Sequence, residues 1–258
     1  LGKGGCHRRT GQSPPEHRHK QRIQHDVAHT RRHGHAQGQI RLFRCDAETL
    51  DVSNFDTSNV ENMAYMFDSC GNLASLDLRS FDTSKVASMS SMFWNCESLT
   101  RLDLSSFRTL ELTTMGAMFS GCRSLTEVDL SSFDTRNVTD MGYLFRDCDS
   151  LTELDLSSFD TNRVSDMSSM FACCNKLEEL DVTGIDTARV RLMSNMFWDC
   201  VSLQKVDLGD FNTANVENMA CMFYNCASLS RLDLSSFRTP NLTQMISMFE
   251  GCSSLTEL

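Results

Sequence analysis

The sequence predicts an α/β solenoid of about eight stacked repeats, each contributing a short strand and a helix. Three observations predict this fold class: a motif that recurs at a constant step, a strand pattern in its first half and a helix pattern in its second half. The aspartate of a Leu-Asp-Leu-like core recurs every 26 residues without insertion. The eight positions are Asp51, Asp77, Asp103, Asp129, Asp155, Asp181, Asp207 and Asp233.

One copy, residues 73–96, shows both patterns. Leu76 and Leu78 alternate with Ser75 and Asp77, as expected for a strand with one buried face. The second half places its apolar residues at i, i+3, i+6, i+7 and i+10, the spacing of one helix face. In this copy they are Val86, Met89, Met92, Phe93 and Cys96.

A threonine precedes each predicted helix, and we interpret it as the N-cap, whose hydroxyl accepts from an open backbone N–H of the first turn. Pro240 follows Thr239 directly, and proline is tolerated at the first helical position. The series is Thr57, Thr83, Thr109, Thr135, Thr161, Thr187, Thr213 and Thr239.

A strand and a helix within 26 residues cannot bury their apolar faces alone, whereas stacked copies can. Helices need about 10 Å each and strands about 4.8 Å, so the stack is expected to curve into a horseshoe. A parallel β-sheet then lines the concave side and the helices form the convex side. The methionine column from Met63 to Met245 and the phenylalanine column from Phe67 to Phe249 fill the interior.

The repeat pattern LDLSSFDT-x-x-V-x-x-M-x-x-MF-x-x-C-x-SL-T resembles the 26-residue repeat of bacterial surface proteins and lipoproteins, the BspA-like leucine-rich repeats. The resemblance covers residues 50–258 in eight copies. It implies a leucine-rich-repeat horseshoe, an extracellular or cell-surface location, and a role in adhesion or host interaction.

Composition divides the chain near Ile40. Residues 1–40 hold eight Lys/Arg, two Asp/Glu and all seven histidines, whereas residues 41–258 hold 16 basic and 32 acidic residues. We predict a disordered basic leader over 1–40, without an apolar signal-peptide core, and a solenoid over 41–258. Residues 41–49 are expected to form an imperfect cap, and the sequence stops as a ninth strand begins.

Two groups of side chains could bind a metal, but each also has an interpretation that needs no metal. His25, His29 and His33 are spaced for chelation on a helix, but the leader has little else to hold a helix together. A cysteine column ends each predicted helix, and its parallel side chains favour buried thiols over disulfides or a metal stack. The column is Cys70, Cys96, Cys122, Cys148, Cys174, Cys200, Cys226 and Cys252. Cys173 and Cys221 fall on outward positions and are predicted to be more reactive.

The aspartate column is the first candidate binding surface, with Asp77, Asp103, Asp129, Asp155, Asp181 and Asp207 as its residues. Like charges about 4.8 Å apart repel by roughly 1 kcal/mol in water, so something must offset the ladder. Neighbouring hydroxyls such as Ser53 and Ser105, cations such as Arg79, and bound calcium are all candidates. Hydrogen bonding within the surface is favoured, because no EF-hand or nonapeptide calcium pattern is present. A cationic partner is also compatible with the ladder.

Three aromatic residues form the second candidate surface. Trp94, Trp198 and Tyr224 follow the core phenylalanine, where other copies are mostly polar or small. Trp198 and Tyr224 lie in adjacent copies, and neighbouring exposed rings make good contact anchors. The alternative is that these rings lie along the flank of the repeat.

The function predicted from these features is a non-enzymatic surface module that binds a protein or glycan. Residues 41–258 contain no histidine, which excludes Ser-His and Cys-His pairs there. The acidic balance disfavours specific nucleic-acid binding, and no cofactor, metal site or transmembrane segment is expected. The alternative is a structural spacer without its own ligand, whose copies would be interchangeable.

Overall fold

The computed structural model describes residues 45–258 as a stack of repeats held together from one copy to the next. Its strands are β1 (Thr49–Leu50), β2 (Ser75–Leu76), β3 (Glu179–Leu180) and β4 (Lys205–Val206). β1 pairs with β2, and β3 with β4, in parallel and in a register of one repeat. The predicted parallel stacking of the Leu-Asp-Leu segments is therefore confirmed at these junctions, although each strand is only two residues long.

A second line of contacts runs through the whole stack. Isolated parallel bridges join Asn62 to Ser88, Ser88 to Thr114, and so on at every step of 26 residues as far as Gln244. This line passes through the half of the repeat in which a helix was predicted. Each copy therefore lies on the next in one register throughout the described chain.

The predicted helices are wrong for the described part of the chain, because residues 45–258 contain no helix. Two four-residue turns occupy each predicted helix. In the first described repeat, the N–H of Met66 donates to the carbonyl of Met63 and that of Cys70 to Phe67, both at 3.2 Å. The third residue of each turn has a positive φ, as in a type II turn: 61° for Tyr65 and 58° for Ser69.

The remaining backbone N–H groups of these turns bond to the neighbouring repeat. The N–H of Tyr65 donates to the carbonyl of Ser90 at 3.0 Å, and the N–H of Phe67 to that of Met92 at 2.9 Å. A helix would satisfy such groups inside its own segment. The horseshoe was predicted from the greater width of helices. Residues 45–258 contain no helix, so this reason for curvature does not apply to them.

The threonine column is buried from Thr57 to Thr213 and is not a set of helix caps. Thr135 is 1% exposed. Its hydroxyl donates to the carbonyl of Asp160 at 3.0 Å and accepts from the N–H of Asp160 at 2.8 Å. The same hydroxyl-to-carbonyl bond to the residue 25 positions later links Thr57, Thr83, Thr109, Thr161, Thr187 and Thr213 to the following repeat.

Pro240 accordingly takes a different role from the one predicted. The N–H of Leu242 donates to the carbonyl of Thr239 at 3.3 Å, which closes a turn. Proline is favoured at the second position of such a turn because its ring fixes φ near the required value.

The interior consists of columns of identical side chains, as predicted from their spacing. Phe67 and the phenylalanines that follow it at each step have their rings stacked 5.2–6.1 Å apart as far as Phe249. Met89, Met141 and Met193 are fully buried. Stacked rings and flexible thioethers fill the space between the strand side and the turns.

The cysteine column lies in the same interior, and its predicted burial is confirmed for Cys70 to Cys226. The thiol of Cys122 donates to the carbonyl of Phe93 at 3.2 Å, and that of Cys200 to the carbonyl of Phe171 at 3.0 Å. All eleven cysteines of residues 45–258 are thiols rather than disulfides. Burial raises the pKa of Cys200 to about 12, so this thiol is protonated at neutral pH.

Predictions for residues 1–40, including the basic leader and the possible histidine chelate, lie outside the described residues. The predicted cap at 41–49 is described only from Cys45 onward, where β1 already pairs with the first full repeat.

Candidate functional site

The aspartate ladder lies on the strand-side surface, as predicted. All eight aspartates are exposed, while the residues on either side of them in the strand segments are mostly buried. Leu76 and Leu78, for example, are 9% and 0% exposed around Asp77. The alternation of the strand pattern thus places the carboxylates in solvent and the leucines in the core.

Each ladder carboxylate is held by its own repeat rather than by its neighbours in the ladder. The N–H of Ser105 and its hydroxyl both donate to Oδ1 of Asp103, at 3.1 and 2.6 Å. Asp181 accepts the corresponding pair of bonds from Thr183, at 2.9 and 2.6 Å. Neighbouring hydroxyls were one of the predicted ways to offset the repulsion within the ladder, and they bond to its carboxylates at these positions.

These hydrogen bonds hold the ladder in its charged form. The bonds from Arg79 lower the pKa of Asp77 to about 2. Bonds from the residue two positions later also lower the pKa values of Asp103, Asp129, Asp155, Asp181 and Asp233. Asp207 accepts one bond of this kind, from the N–H of Gly209 at 2.9 Å.

Cations lie near only part of the ladder. Arg79 forms an ion pair with Asp77 at 2.6 Å. Arg231 pairs with Glu257 at 3.0 Å, and its charge adds to the lowering of the pKa of Asp233 by Ser235.

The pKa of Asp155 is lowered mainly by its hydrogen bonds from Ser157. The charges that act on Asp155 are those of Asp129 and Asp181, and they raise its pKa. The charge of Lys205, besides the larger effect of Thr183, lowers the pKa of Asp181, whereas no cation of residues 45–258 perturbs the pKa of Asp129 or Asp155, so the uncompensated acidic region centres on these two repeats.

The aromatic residues are only partly available to a ligand. Trp94 is 39% exposed, while Trp198 and Tyr224 are half-buried and stack on each other with ring centres 6.2 Å apart. Tyr143, which the sequence analysis did not single out, is 40% exposed, with the Arg146 guanidinium 5.7 Å from its ring centre. These aromatic residues are spread over several repeats and do not form one platform.

The two outward cysteines differ from each other. Cys173 is 8% exposed, so the prediction that it is accessible is wrong. Burial and the nearby Asp147 carboxylate raise the pKa of Cys173 to about 12, which disfavours the reactive thiolate. Cys221 is half-buried, and its thiol donates to the carbonyl of Ile246 at 3.7 Å.

Sequence reasoning missed one pair of carboxylates in the turn half of the repeat. Asp140 and Asp166 follow each other in the bridge column, and each accepts an N–H two residues later, from Gly142 at 2.9 Å and Ser168 at 2.8 Å. Burial, with a contribution from Asp166, raises the pKa of Asp140. A side chain at Gly116 would place its Cβ 3.0 Å from Oδ2 of Asp140, so this glycine makes room for the carboxylate.

The described part of the chain contains no cluster of metal ligands. Residues 45–258 contain no group of three or more His, Cys, Asp or Glu side chains arranged to hold a metal ion. Nor does any part of residues 45–258 form a helix with the length and hydrophobicity needed to cross a membrane.

Comparison with known protein families gives one match. The family model described as "Mycoplasma protein of unknown function, DUF285" matches residues 41–127, 98–180 and 141–257. These overlapping matches span nearly the whole repeat region. The chain belongs to the DUF285 family. The DUF285 description assigns no activity, and the BspA-like surface role stays a prediction. No curated protein matches the chain.

One similar solved structure is the crystal structure of a leucine-rich repeat protein from Bacteroides ovatus ATCC 8483, with 20% sequence identity and a TM-score of 0.44. The similarity covers 78% of this DUF285 chain, which spans only 58% of that protein's length. The fold of this DUF285 chain is defined by its own inter-repeat hydrogen bonds and not by this similarity.

Proposed function

We propose that this chain is a non-enzymatic binding module of a cell surface or the extracellular space, and that its strand-side face binds a basic protein surface. The observation that carries the proposal is a cluster we call the acidic patch, made of two exposed carboxylates from each of three consecutive repeats. Its residues are Glu127, Asp129, Glu153, Asp155, Glu179 and Asp181. The resemblance to BspA-like repeats supports the surface location and a role in adhesion or host interaction.

The acidic patch concentrates like charge on a rigid surface. The charges of Asp129 and Asp181 act to raise the pKa of Asp155, against the larger lowering effect of its bonds from Ser157, so the carboxylates of neighbouring copies repel each other. None of the six carboxylates forms an ion pair with a cation of residues 45–258. A Lys- or Arg-rich partner would relieve this repulsion, and the field of the patch would steer it into contact.

The other binding classes have weaker support. The Trp198–Tyr224 stack is half-buried, which favours the flank interpretation of these rings over a glycan platform. Residues 41–258 carry twice as many acidic as basic residues, which is unfavourable for phosphate contacts. An acid–base enzyme would need a carboxyl group whose pKa is raised, whereas Asp129, Asp155 and Asp181 are all exposed and their pKa values are all lowered by bonds from the residue two positions later.

A structural spacer is the second candidate, and the uniform junctions between repeats favour it. The threonine bonds, thiol bonds and bridge register recur at nearly every step. Binding and spacer roles differ in what the acidic patch does. Charge removal there should abolish partner capture if the patch binds, and should have no effect if the chain only separates other domains.

The test is binding to an array of extracellular-matrix proteins and glycans and to a fluorescent Lys/Arg-rich peptide, at low and high salt. The variant is Asp129→Asn, Asp155→Asn and Asp181→Asn combined, because asparagine keeps the oxygen that accepts from residue i+2. We expect about a tenfold or greater loss of affinity for basic probes, since three charges contribute about 0.5 kcal/mol each.

A matched control exists in the same repeats. Asp134, Asp160 and Asp186 also accept the N–H two residues later, so their combined change to asparagine alters the net charge equally. The control should keep the affinity of the original chain. Equal loss in both variants would indicate a general charge effect, and absence of salt-sensitive binding to any basic probe would leave the spacer as the function.

A further inference from the structure

The acidic patch lies between two repeats that carry cations on the strand-side face. Two positions before the ladder aspartate, the chain has Arg101 in the repeat before the patch and Lys205 in the repeat after it, both exposed. Within the patch this position is glutamate in all three repeats. No ion pair among residues 45–258 joins a cation to the patch. The negative charge of this face is therefore concentrated on its middle repeats, and Asp129 and Asp155 are the least compensated part.

A segment of opposite charge belongs to the same chain, namely the leader of residues 1–40. The leader holds eight Lys/Arg against two Asp/Glu, a net charge of +6, whereas residues 41–258 carry a net charge of −16. Its aliphatic residues larger than alanine are Leu1, Ile23, Val27 and Ile40. Because so few apolar side chains can bury little surface, the leader is suited to bind through its charge. An acidic surface is the partner that this composition fits.

The leader joins the stack close to the start of the ladder. Cys45, the first described residue, lies six positions before Asp51, the first ladder aspartate. The phenylalanine rings of successive repeats lie 5.2–6.1 Å apart, so Asp155, four repeats beyond Asp51, lies about 25 Å along the stack, whereas forty residues can span as much as about 130 Å. The whole acidic patch is therefore within reach of the leader.

We propose that the leader of residues 1–40 occupies the acidic patch of its own chain and competes there with external basic partners. This inference rests on the proposed function, because the leader regulates the same surface that binds the partner. Lys and Arg side chains of the leader supply the cations that the repeats of Asp129 and Asp155 lack, and the field of the patch draws them to it.

Attachment makes even a weak contact effective. An attached segment reaches an effective concentration on the order of 1 mM at its site, so a leader with a dissociation constant of about 0.1 mM weakens the binding of an external probe about tenfold. A partner must then carry more basic charge than the leader, or a higher concentration of it, to gain the patch.

The affinity of the full chain for the fluorescent Lys/Arg-rich peptide measures this competition. The leader variant replaces five leader cations with glutamine and leaves the acidic patch unchanged. These residues are Arg18, Lys20, Arg22, Arg31 and Arg32. We expect the leader variant to bind the peptide about tenfold more tightly than the original chain at low salt, with the difference lost at high salt.

A matched control neutralises five cations of the repeats and keeps the leader. The control residues are exposed and follow the threonine column within four positions: Lys85, Arg136, Arg163, Arg189 and Arg191. Their combined change to glutamine alters the net charge of the chain by the same amount. We expect a far smaller gain in affinity for the peptide, because no competitor is removed from the acidic patch.

Crosslinking with a carbodiimide reports the contact itself, because this reagent joins an amine and a carboxylate in direct contact as an amide. The leader has two lysines, Lys3 and Lys20. After reaction of the full chain at low salt, mass spectrometry of the monomer should find a leader lysine linked to carboxylates of the acidic patch. These links should disappear when the reaction is run at high salt.

Three results would overturn the proposal. The first is a leader variant that binds the peptide no more tightly than the control variant. The second is a monomer whose leader lysines are linked to carboxylates outside the acidic patch, or to none. The third is linkage found only in a crosslinked dimer, since the leader would then bind a second copy of the chain.

Failure of the proposed function gives a different pattern. If the original chain binds the peptide and the combined Asp129→Asn, Asp155→Asn and Asp181→Asn variant does not, while the leader variant behaves like the original chain, the patch binds partners and the leader does not cover it. If neither the original chain nor the leader variant binds the peptide, the acidic patch has no basic partner and both proposals fail.

Discussion

Replacing Thr135 with valine removes a hydroxyl that joins two repeats while keeping the shape of the side chain. The hydroxyl donates to the carbonyl of Asp160 at 3.0 Å and accepts from its N–H at 2.8 Å, and Thr135 is 1% exposed. Two hydrogen bonds at about 1 kcal/mol each, with the added cost of leaving partly buried backbone groups unpaired, give a loss of about 2–3 kcal/mol.

Thr152→Val is the control. Thr152 lies on the surface, where its hydroxyl is open to solvent. We therefore expect a change within about 0.5 kcal/mol. A helix N-cap would act inside its own repeat, so the cap interpretation predicts that Thr135→Val speeds exchange at the amides of Asn137 and Val138 rather than at that of Asp160.

Urea unfolding gives the global free energies, and hydrogen exchange of the Asp160 amide gives the local effect. The local measurement matters because repeat arrays can depart from two-state unfolding. Faster exchange at Asp160 in Thr135→Val, with unchanged exchange there in Thr152→Val, is the expected outcome. Equal losses in the two variants, or an Asp160 amide that exchanges as before, would refute the inter-repeat role.

Three further predictions test the interior and the turns. Phe145→Ala should cost about 3–5 kcal/mol in urea unfolding, because the ring is fully buried between two others; a loss under 1 kcal/mol would contradict the stacked column. Asp140→Asn should raise the free energy of unfolding at neutral pH. Burial raises the folded pKa of Asp140, so ionisation costs stability as pH rises above the ordinary value of 3.8, and the gain should vanish in acid; a pH-independent effect would exclude this cause. Ala117→Gly should stabilise by about 0.5–1 kcal/mol, because Ala117 has a φ of 55°, which glycine adopts without strain; a lower melting temperature would contradict this.

Sequence reasoning predicted the interior of the stack and missed the path of the backbone. A buried turn of four residues brings its first and last side chains to one side, so Met63 and Met66, then Phe67 and Cys70, repeat the three-residue spacing of a helix face. Periodicity alone cannot separate the two structures. The registers, the buried columns and the outward aspartates follow from the 26-residue step in either case.

A signal for the turns was nevertheless present in the sequence. The third position of the second turn is occupied by serine, asparagine, glycine, aspartate and cysteine, with glycine at Gly121 and Gly251. Asparagine, aspartate and glycine tolerate positive φ and are unfavourable inside helices. A Cβ at Gly121 would lie 2.2 Å from the side-chain oxygen and 3.1 Å from the Cα of Asn95, so the close approach of Asn95 also favours glycine there.

The candidate site was predictable in its orientation but not in its chemistry. The strand alternation placed Asp155 in solvent, but it could not show that Arg231 forms its ion pair with Glu257. Burial of Cys173 was likewise hidden, because its position lies outward on a helix but not on a turn. The half-buried Asp140 was missed because its column varies from one repeat to the next.

The hydrogen bonds between copies have a mechanical consequence. Since the N–H of Phe67 is held by Met92 in the next copy and Thr135 holds Asp160, most of the resistance of the chain to tension lies in the junctions. Pulling on the two ends of the stack should detach copies one at a time, each releasing roughly 90 Å of extended chain. A tether built this way lengthens in steps under load and absorbs work at each step while the other copies stay assembled.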